Sequence, residues 1–421
     1  MPRDNNFLHA KYSRSDPGDR VIYRTFEPGA PVHSPAWQEA FNWMRDALQQ
    51  ANVRVILFLH GSYFGTDLFG TTRLDEAGGL KRGYSRGIPG LESLLAVMRP
   101  GEYTRPPERD ELYPPFSNDD DTKRRLDHLA RDGANFTTEY LLTFQQGLGE
   151  PTSSTTPLCV RYVWSSVHHH LGRLEAALAL FAYLMELKQR LTLNSHHRLL
   201  ILAHGHAGQL LALLSNLLSP GESTVRPTVV DILTAHAQQT AEGAALLAHL
   251  QRLEQFLTTE EWSTTPSLDV VTLGTPIRYG WDTSALGHLL HFVNHRPIRT
   301  DGKRWLAKMD LPQVAWELPL AAGGDYVQQL AIAGTDALPH SELDQATNHA
   351  LRELLEPYDG FERWLECARR ACRCPTDGLC RLIDYQDVGD DPRLHLFGHA
   401  CYTRLSTMLF QAQEIVHAFY K

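Results

Sequence analysis

Apolar, strand-like runs that alternate with helical patterns constrain this chain more than any other feature. Val53 to Leu59 (VRVILFL) is a near-continuous apolar run rich in branched residues. Such a run reads as a strand buried on both faces. LCVRYVWSS from Leu158, RLLILAH from Arg198, LDVVTLGTP from Leu268 and HLLHFVNH from His288 repeat that character, and DYVQQLAIAGTD and GLCRLIDYQD continue it. Between them lie helical patterns. In SPAWQEAFNWMRDALQQ, Ser34 is a good N-cap, Pro35 suits the first helical position, and Trp37, Phe41, Met44 and Leu48 recur at helical spacing. LGRLEAALALFAYLMELKQRL, AGQLLALLSNLL and the closing CYTRLSTMLFQAQEIVHAFY behave alike. Strands alternating with helices imply βαβ units and a largely parallel sheet. Right-handed crossovers then gather the turns after the strands along one edge. Ligands of open α/β sheets bind at that edge.

Two stretches break the alternation. Residues 65–155 are Gly/Pro-punctuated and charged, and residues 219–262 look helical after Pro220. Both follow strands, so both are expected to be insertions in one domain spanning 1–421, able to shape or cover a site. The run Asp119 to Asp121 is expected to be a solvated loop.

Composition removes several function classes. The formal net charge of −9 argues against a dedicated nucleic-acid binder, which needs a basic face. The N-terminus lacks the apolar core of a secretory signal, and no run approaches the roughly 18 apolar residues of a membrane span. A cytoplasmic location is the default expectation, with signal-independent export left open. Four of the six cysteines crowd into Cys367, Cys372, Cys374 and Cys380. Their spacing is not a familiar zinc spacing, so reduced structural thiols are favoured over a metal site or a disulfide.

The chemistry-bearing turn is HGHAGQ, His204 to Gln209, between an apolar strand and an apolar helix. A nucleophile elbow has this layout and the frame G-x-S-x-G. Aligned on Gly205, the frame here is G-H-A-G-Q, with Ala207 where the serine should stand and Gln209 where the second glycine should stand. A plain packing turn is the competing explanation. Three segments bear on the choice. FLHGSY follows the early strand and offers the amides of Ser62 and Tyr63 as oxyanion donors, or else is an ordinary turn with a structural His60. Asp336 in LAIAGTDALP follows a late apolar run, where it could orient a histidine or simply cap a turn; Asp384 competes with it. His399 follows Gly398 on a loop entering the last helix, where a base could reach over the sheet edge. Other groupings are weaker. His168, His169 and His170 point in different directions on a helix. His60, His204 and His206 lack the carboxylate or HExxH frame of a metal hydrolase. Tyr279 and Trp281 suit pocket wall and core equally.

In the order elbow, acid, histidine, these segments resemble the α/β-hydrolase superfamily, in particular its lipase- and esterase-like members. Leu273, Gly274, Thr275 and Pro276 add an L-G-T-P segment similar to that of many lipases. The resemblance covers roughly residues 50–64, 158–218 and 268–421. It implies an α/β-hydrolase fold, a mostly parallel central sheet flanked by helices with helical or irregular insertions. It implies hydrolysis of a carboxylic ester or lipid through an acyl-enzyme, with no metal or organic cofactor. Residue 207 would be the nucleophile position, His399 the base and Asp336 its partner. The amides of Gly208 and of Ser62 or Tyr63 would hold the oxyanion. Ala207 departs from that pattern, since a methyl group cannot attack a carbonyl. A serine hydrolase stripped of its nucleophile keeps only roughly 10³–10⁴-fold acceleration over water. Two readings follow: a Ser-to-Ala variant of an active hydrolase, or a natural pseudoenzyme that binds a ligand or regulates. The presence of His399 and Asp336 favours the first, because a chain freed from catalysis has no evident need of them. An exported lipase is a third reading.

Overall fold

The apolar runs become the sheet. The structure, a computed structural model, describes residues 20–61, 118–133, 135–151, 155–167, 169–241, 243–296, 320–330, 339, 341–355, 374–375, 377–389 and 392–421. Its strands are β1 (Val21–Thr25), β2 (Val53–Leu59), β3 (Leu158–Tyr162), β4 (Arg198–His204), β5 (Ser267–Leu273), β6 (His288–Asn294) and β7 (Leu379–Asp384). They form one seven-stranded sheet in the order β1-β7-β6-β5-β4-β2-β3. Every pairing is parallel. The mixed α/β architecture expected from the alternation is therefore present, with an all-parallel rather than a mostly parallel sheet, consistent with an α/β-hydrolase-like fold.

Helices cover both faces. In chain order they are α1 (Pro35–Gln50), α2 (Asp120–Ala130), α3 (Thr138–Leu148), α4 (His170–Arg190), α5 (Ala207–Leu218), α6 (Arg226–Ala237), α7 (Gly243–Thr258), α8 (Tyr326–Leu330), α9 (Glu342–Leu355), α10 (Pro392–His395) and α11 (Leu405–Phe419). Side chains alternate across a strand, and the sheet shows the consequence. Ile56, Phe58, Leu200, Leu202, Val271 and Phe292 pack with α1, α3 and α11. Val55, Leu57, Leu199, Ile201, Ala203 and Val270 pack with α4, α5, α6 and α7. Two apolar faces explain why the strands read as continuous apolar runs.

Local signals hold where they are strong. Ser34 caps α1, its hydroxyl accepting from the Trp37 amide at 3.2 Å. Asp119, expected in a solvated loop, caps α2 by accepting from the Thr122 amide at 2.7 Å. Within 65–155, α2 is tied to the sheet by the buried Arg161 of β3, which donates to Asp127 Oδ1 and to the Lys123 carbonyl, both at 2.7 Å. The helices of 219–262, α6 and α7, contribute Val229, Leu233, Leu246 and Leu250 to the core over α4 and α5. Two expectations change. Tyr326–Leu330, inside the apolar run before Asp336, is a helix and not a strand. Asp325 initiates it by accepting from the Gln328 amide at 2.8 Å. β1 was not foreseen, because a five-residue edge strand with no fully buried residue carries almost no pattern. Among the described residues no helix is long and apolar enough to cross a membrane.

The chain reverses its progression between β2 and β4. β3 lies outside β2 while β4 returns on the other side. The carboxyl ends of β2 and β4 therefore flank a topological switch point, where α/β sheets bind ligands. HG at 60–61 and HGHAG at 204–208 sit there.

One aromatic cluster holds α3 against the sheet. Phe58 meets Phe136, Tyr140 and Phe144 at ring-centroid distances of 5.1, 5.8 and 5.4 Å. Phe58→Ala should lower unfolding stability by about 3–5 kcal/mol. Leu142→Ala, on the exposed side of α3, should change it by no more than about 0.5 kcal/mol. Urea titration of both variants checks the pair.

Candidate active site at the carboxyl ends of β4, β6 and β7

The turn after β4 is built from a glycine, not an alanine. Gly205 follows the last strand residue and has φ +54°, a region that costs an L side chain about 1–2 kcal/mol. Its amide donates to the Leu273 carbonyl at 2.8 Å, and Thr275 Oγ1 donates to its carbonyl at 2.7 Å. Helix α5 starts two residues later. Ala207 is its first residue, fully buried in the core between the sheet and the helices. The tip of the turn is therefore Gly205, and the frame centred on Ala207 is displaced by two residues. Gly208 changes role for the same reason. Its amide closes the first turn of the helix onto the Gly205 carbonyl at 3.2 Å, so it is committed within the turn. Gln209, bulky where a glycine was expected, is buried and donates to the Pro276 carbonyl at 3.1 Å. It ties α5 to the L-G-T-P turn.

His399 comes to this tip. A Cβ placed on Gly205 would lie 2.7 Å from His399 Nε2. That is closer than carbon and nitrogen pack, so the imidazole lies directly over the glycine. The other ring nitrogen, Nδ1, donates to Asp325 Oδ2 at 2.7 Å. A carboxylate accepts only, so Nδ1 carries a proton, and the neutral imidazole has its lone pair on Nε2. Among the described residues no group hydrogen-bonds Nε2.

Asp325 was missed by sequence reasoning. It follows β6 in AGGDY and is fully buried. Oδ2 also accepts from Tyr402 Oη at 2.8 Å, and Oδ1 caps α8 through the Gln328 amide. Its backbone amide donates to the Asn294 carbonyl at 2.8 Å, which fixes the loop to the end of β6. The L-G-T-P turn makes room for this carboxylate. A Cβ on Gly274, which has φ +64°, would stand 2.5 Å from Asp325 Oδ2 and from Tyr402 Cε2.

The loop carrying His399 is conformationally costly. Leu396 and Phe397 have φ of 45° and 55°, and Gly398 has φ 85°. Left-handed non-glycine residues persist only when their surroundings over-determine them, and here they are. A Cβ on Gly398 would lie 2.1 Å from the Gly324 carbonyl oxygen. Asn294 Nδ2 donates to the Gly398 carbonyl at 2.8 Å. The loops after β6 and β7 thus touch backbone to backbone, which sets Asp325 and His399 in register.

His60 and His204, which flank the site, are built into the fold. Trp164 donates its backbone amide to His60 Nε2 at 3.0 Å, so His60 Nδ1 is the protonated nitrogen and donates to the Gly61 carbonyl at 2.7 Å. Burial lowers the pKa of His60 to about 3. His204 packs beside His399, ring centroids 4.4 Å apart. Burial, reinforced by His399, holds its pKa well below the usual histidine range. Among the described residues no group of three or more His, Cys, Asp or Glu is placed to hold a metal ion. Tyr279 and Trp281 are buried in the core, and Cys374 and Cys380 are buried thiols.

Of the expected site residues, the structure brings His399 to the turn and sets Ala207 and Gly208 inside the first turn of α5. Asp336, Ser62 and Tyr63 lie outside the described residues, as do His168, Cys367 and Cys372. Asp384 has other partners. Its Oδ1 accepts from the Gln386 amide at 2.9 Å and pairs with Arg296 Nε at 3.4 Å. An Asp on a Gly-Gly-Asp turn directly after a strand-and-loop segment was the available signal for Asp325. The apolar LAIAG downstream outweighed it.

Neutral burial makes stability depend on pH. Burial lowers His60 and His291 to about 3, against about 6.5 in the unfolded chain. The unfolded state binds protons that the folded state refuses, so stability present above pH 6.5 is lost on acidification toward pH 3. Unfolding free energy should fall by about 2–3 kcal/mol between pH 7.5 and 5.5. Urea midpoints across that interval measure it, and a flat profile contradicts neutral burial.

No protein-family model, curated protein or solved structure matches this chain, so the geometry of Gly205, His399 and Asp325 carries the functional argument by itself.

Proposed function

We propose that this chain is a lipase- or esterase-like α/β hydrolase in architecture, with glycine at the nucleophile position. Its site takes a carboxylic ester or lipid and forms no acyl-enzyme at that position. The observation that carries the reading is the place of Gly205 directly beneath His399 Nε2. Recentred on Gly205, the elbow runs Ala203, His204, Gly205, His206, Ala207. Small residues two before and two after the tip match the frame G-x-S-x-G with glycine in place of serine. The positive φ at Gly205 is the strained conformation that such a turn demands of its nucleophile. The His206 amide, next after the tip, stands where an elbow's oxyanion donor belongs. His399 would be the base and Asp325 the acid that fixes its tautomer. Substrate would approach from the carboxyl edge of the sheet, and no cofactor enters the chemistry.

Restoring the hydroxyl tests this. Gly205→Ser places Oγ against His399 once the ring retreats from the added Cβ. The variant should become labelled by a fluorophosphonate probe and hydrolyse short acyl esters with a burst. The left-handed serine should cost it about 1–2 kcal/mol of stability. Ala207→Ser, with its hydroxyl turned into the core, should gain neither. Labelling of Ala207→Ser but not of Gly205→Ser would reverse the assignment.

A further inference from the structure

We propose that His399 acts on water directly, so that the chain as it stands hydrolyses activated carboxylic esters by general-base catalysis without a covalent intermediate. This rests on the reading of the site as an ester site.

Among the described residues, the hydroxyl and thiol side chains at the tip are committed elsewhere, and the nucleophile assigned is water. Thr275 has the hydroxyl bound at the tip, but it donates to the Gly205 carbonyl at 2.7 Å and so lies behind the turn. Tyr402 Oη is spent on Asp325 at 2.8 Å. Cys401 is buried, its Sγ contacts the Gly398 carbonyl at 3.6 Å, and burial holds its thiol well above the usual range. Nε2 of His399 is the one member of the dyad with an open lone pair, and it faces a residue with no side chain.

The step balances. The water oxygen attacks the ester carbonyl carbon while Nε2 takes one water proton. The carbonyl electron pair moves onto its oxygen, and the imidazolium formed is held through Nδ1 by the Asp325 carboxylate. Collapse of the tetrahedral intermediate breaks the bond to the leaving oxygen or sulfur, which takes the proton back from Nε2. Ester and water become acid and alcohol. Since attack by water is the hard step, the substrate class is one with an electrophilic carbonyl, an aryl ester or a thioester.

The test uses the full chain with p-nitrophenyl acetate and butyrate. Surface histidines also hydrolyse such esters slowly, and they remain in His399→Gln, which sets the background. The unmodified chain should turn over without a burst, resist the fluorophosphonate probe and yield no acyl-protein on acid quench. The unmodified chain should exceed the His399→Gln rate by at least about 100-fold. Gly205→Ala sets a methyl group against Nε2, which must retreat from its place over the tip, and it should lose a comparable factor. Thermal melting confirms that each variant folds, and Asp325→Asn provides an independent loss if His399→Gln does not. Equal rates for the unmodified chain, His399→Gln and Gly205→Ala overturn the proposal, as does an acyl-protein in the unmodified chain. If Gly205→Ser is labelled while the unmodified chain is inert, water activation fails and the ester site stands. If neither reacts, the ester site itself fails.

Discussion

A buried carboxylate organises the carboxyl edge of this sheet. Asp325 is fully excluded from solvent, and an ionised group moved out of water costs several kcal/mol unless it is compensated. Hydrogen bonds to a charged group return roughly 1.5–3 kcal/mol each. Asp325 receives them from three separate elements: the His399 loop, the Tyr402 turn and the start of α8. Each donor fixes its own segment, so one charge converts three connections into a rigid assembly. The close approaches follow from it. Gly274 makes space for the carboxylate, and Gly398 lets the His399 loop lie against Gly324.

The sheet was legible in the sequence because burial on both faces leaves no polar alternation to confuse with a helix. Every central strand appeared as an apolar run, with ends near the observed ones. The site was legible in part. Gly398 and the position before the last helix made His399 legible, and its ring lies over Gly205. The turn after β4 is legible as a turn, but which of its residues is the tip is not. The reason is physical: AHGHAG has small residues on both sides of two possible centres. A frame beginning at Gly205 and a frame centred on it fit equally well until the backbone says which residue has positive φ. Asp325 was lost for a different reason. Its helix α8 exists because the carboxylate caps it, and the apolar residues after it imitate a strand.

The short motifs acquire mechanical meaning when their contacts are read together. L-G-T-P supplies Gly274 to admit the acid, Thr275 to hold the Gly205 carbonyl and the Pro276 carbonyl to receive Gln209. H-G after β2 is a structural clasp, with His60 joined to Trp164 through both the ring and the main chain. His60 is neutral because it is buried, and His204 is neutral beside the base for the same reason. An imidazolium on His399 during reaction would therefore face one negative carboxylate and uncharged histidines.

The persistence of acid and base beside an absent nucleophile admits an explanation that needs no catalysis. If His399 were lost, Asp325 would forfeit one of the bonds that make its burial tolerable, and the loop after β7 would lose its anchor. The expectation that a chain freed from catalysis would not keep its acid and base, drawn from sequence for His399 and Asp336, does not carry over to His399 and Asp325, because the fold uses that pair. Glycine at the tip pulls the other way. A left-handed serine costs about 1–2 kcal/mol that glycine does not, so removing the hydroxyl relieves strain while the dyad stays for structural reasons. The dyad is therefore weak evidence for activity. The discriminating feature is the combination of a carboxylate on Nδ1 with an Nε2 that no described residue binds. An open nitrogen over a glycine is not enough alone, because among the described residues His204 Nδ1 also lacks a partner and lies against Gly61.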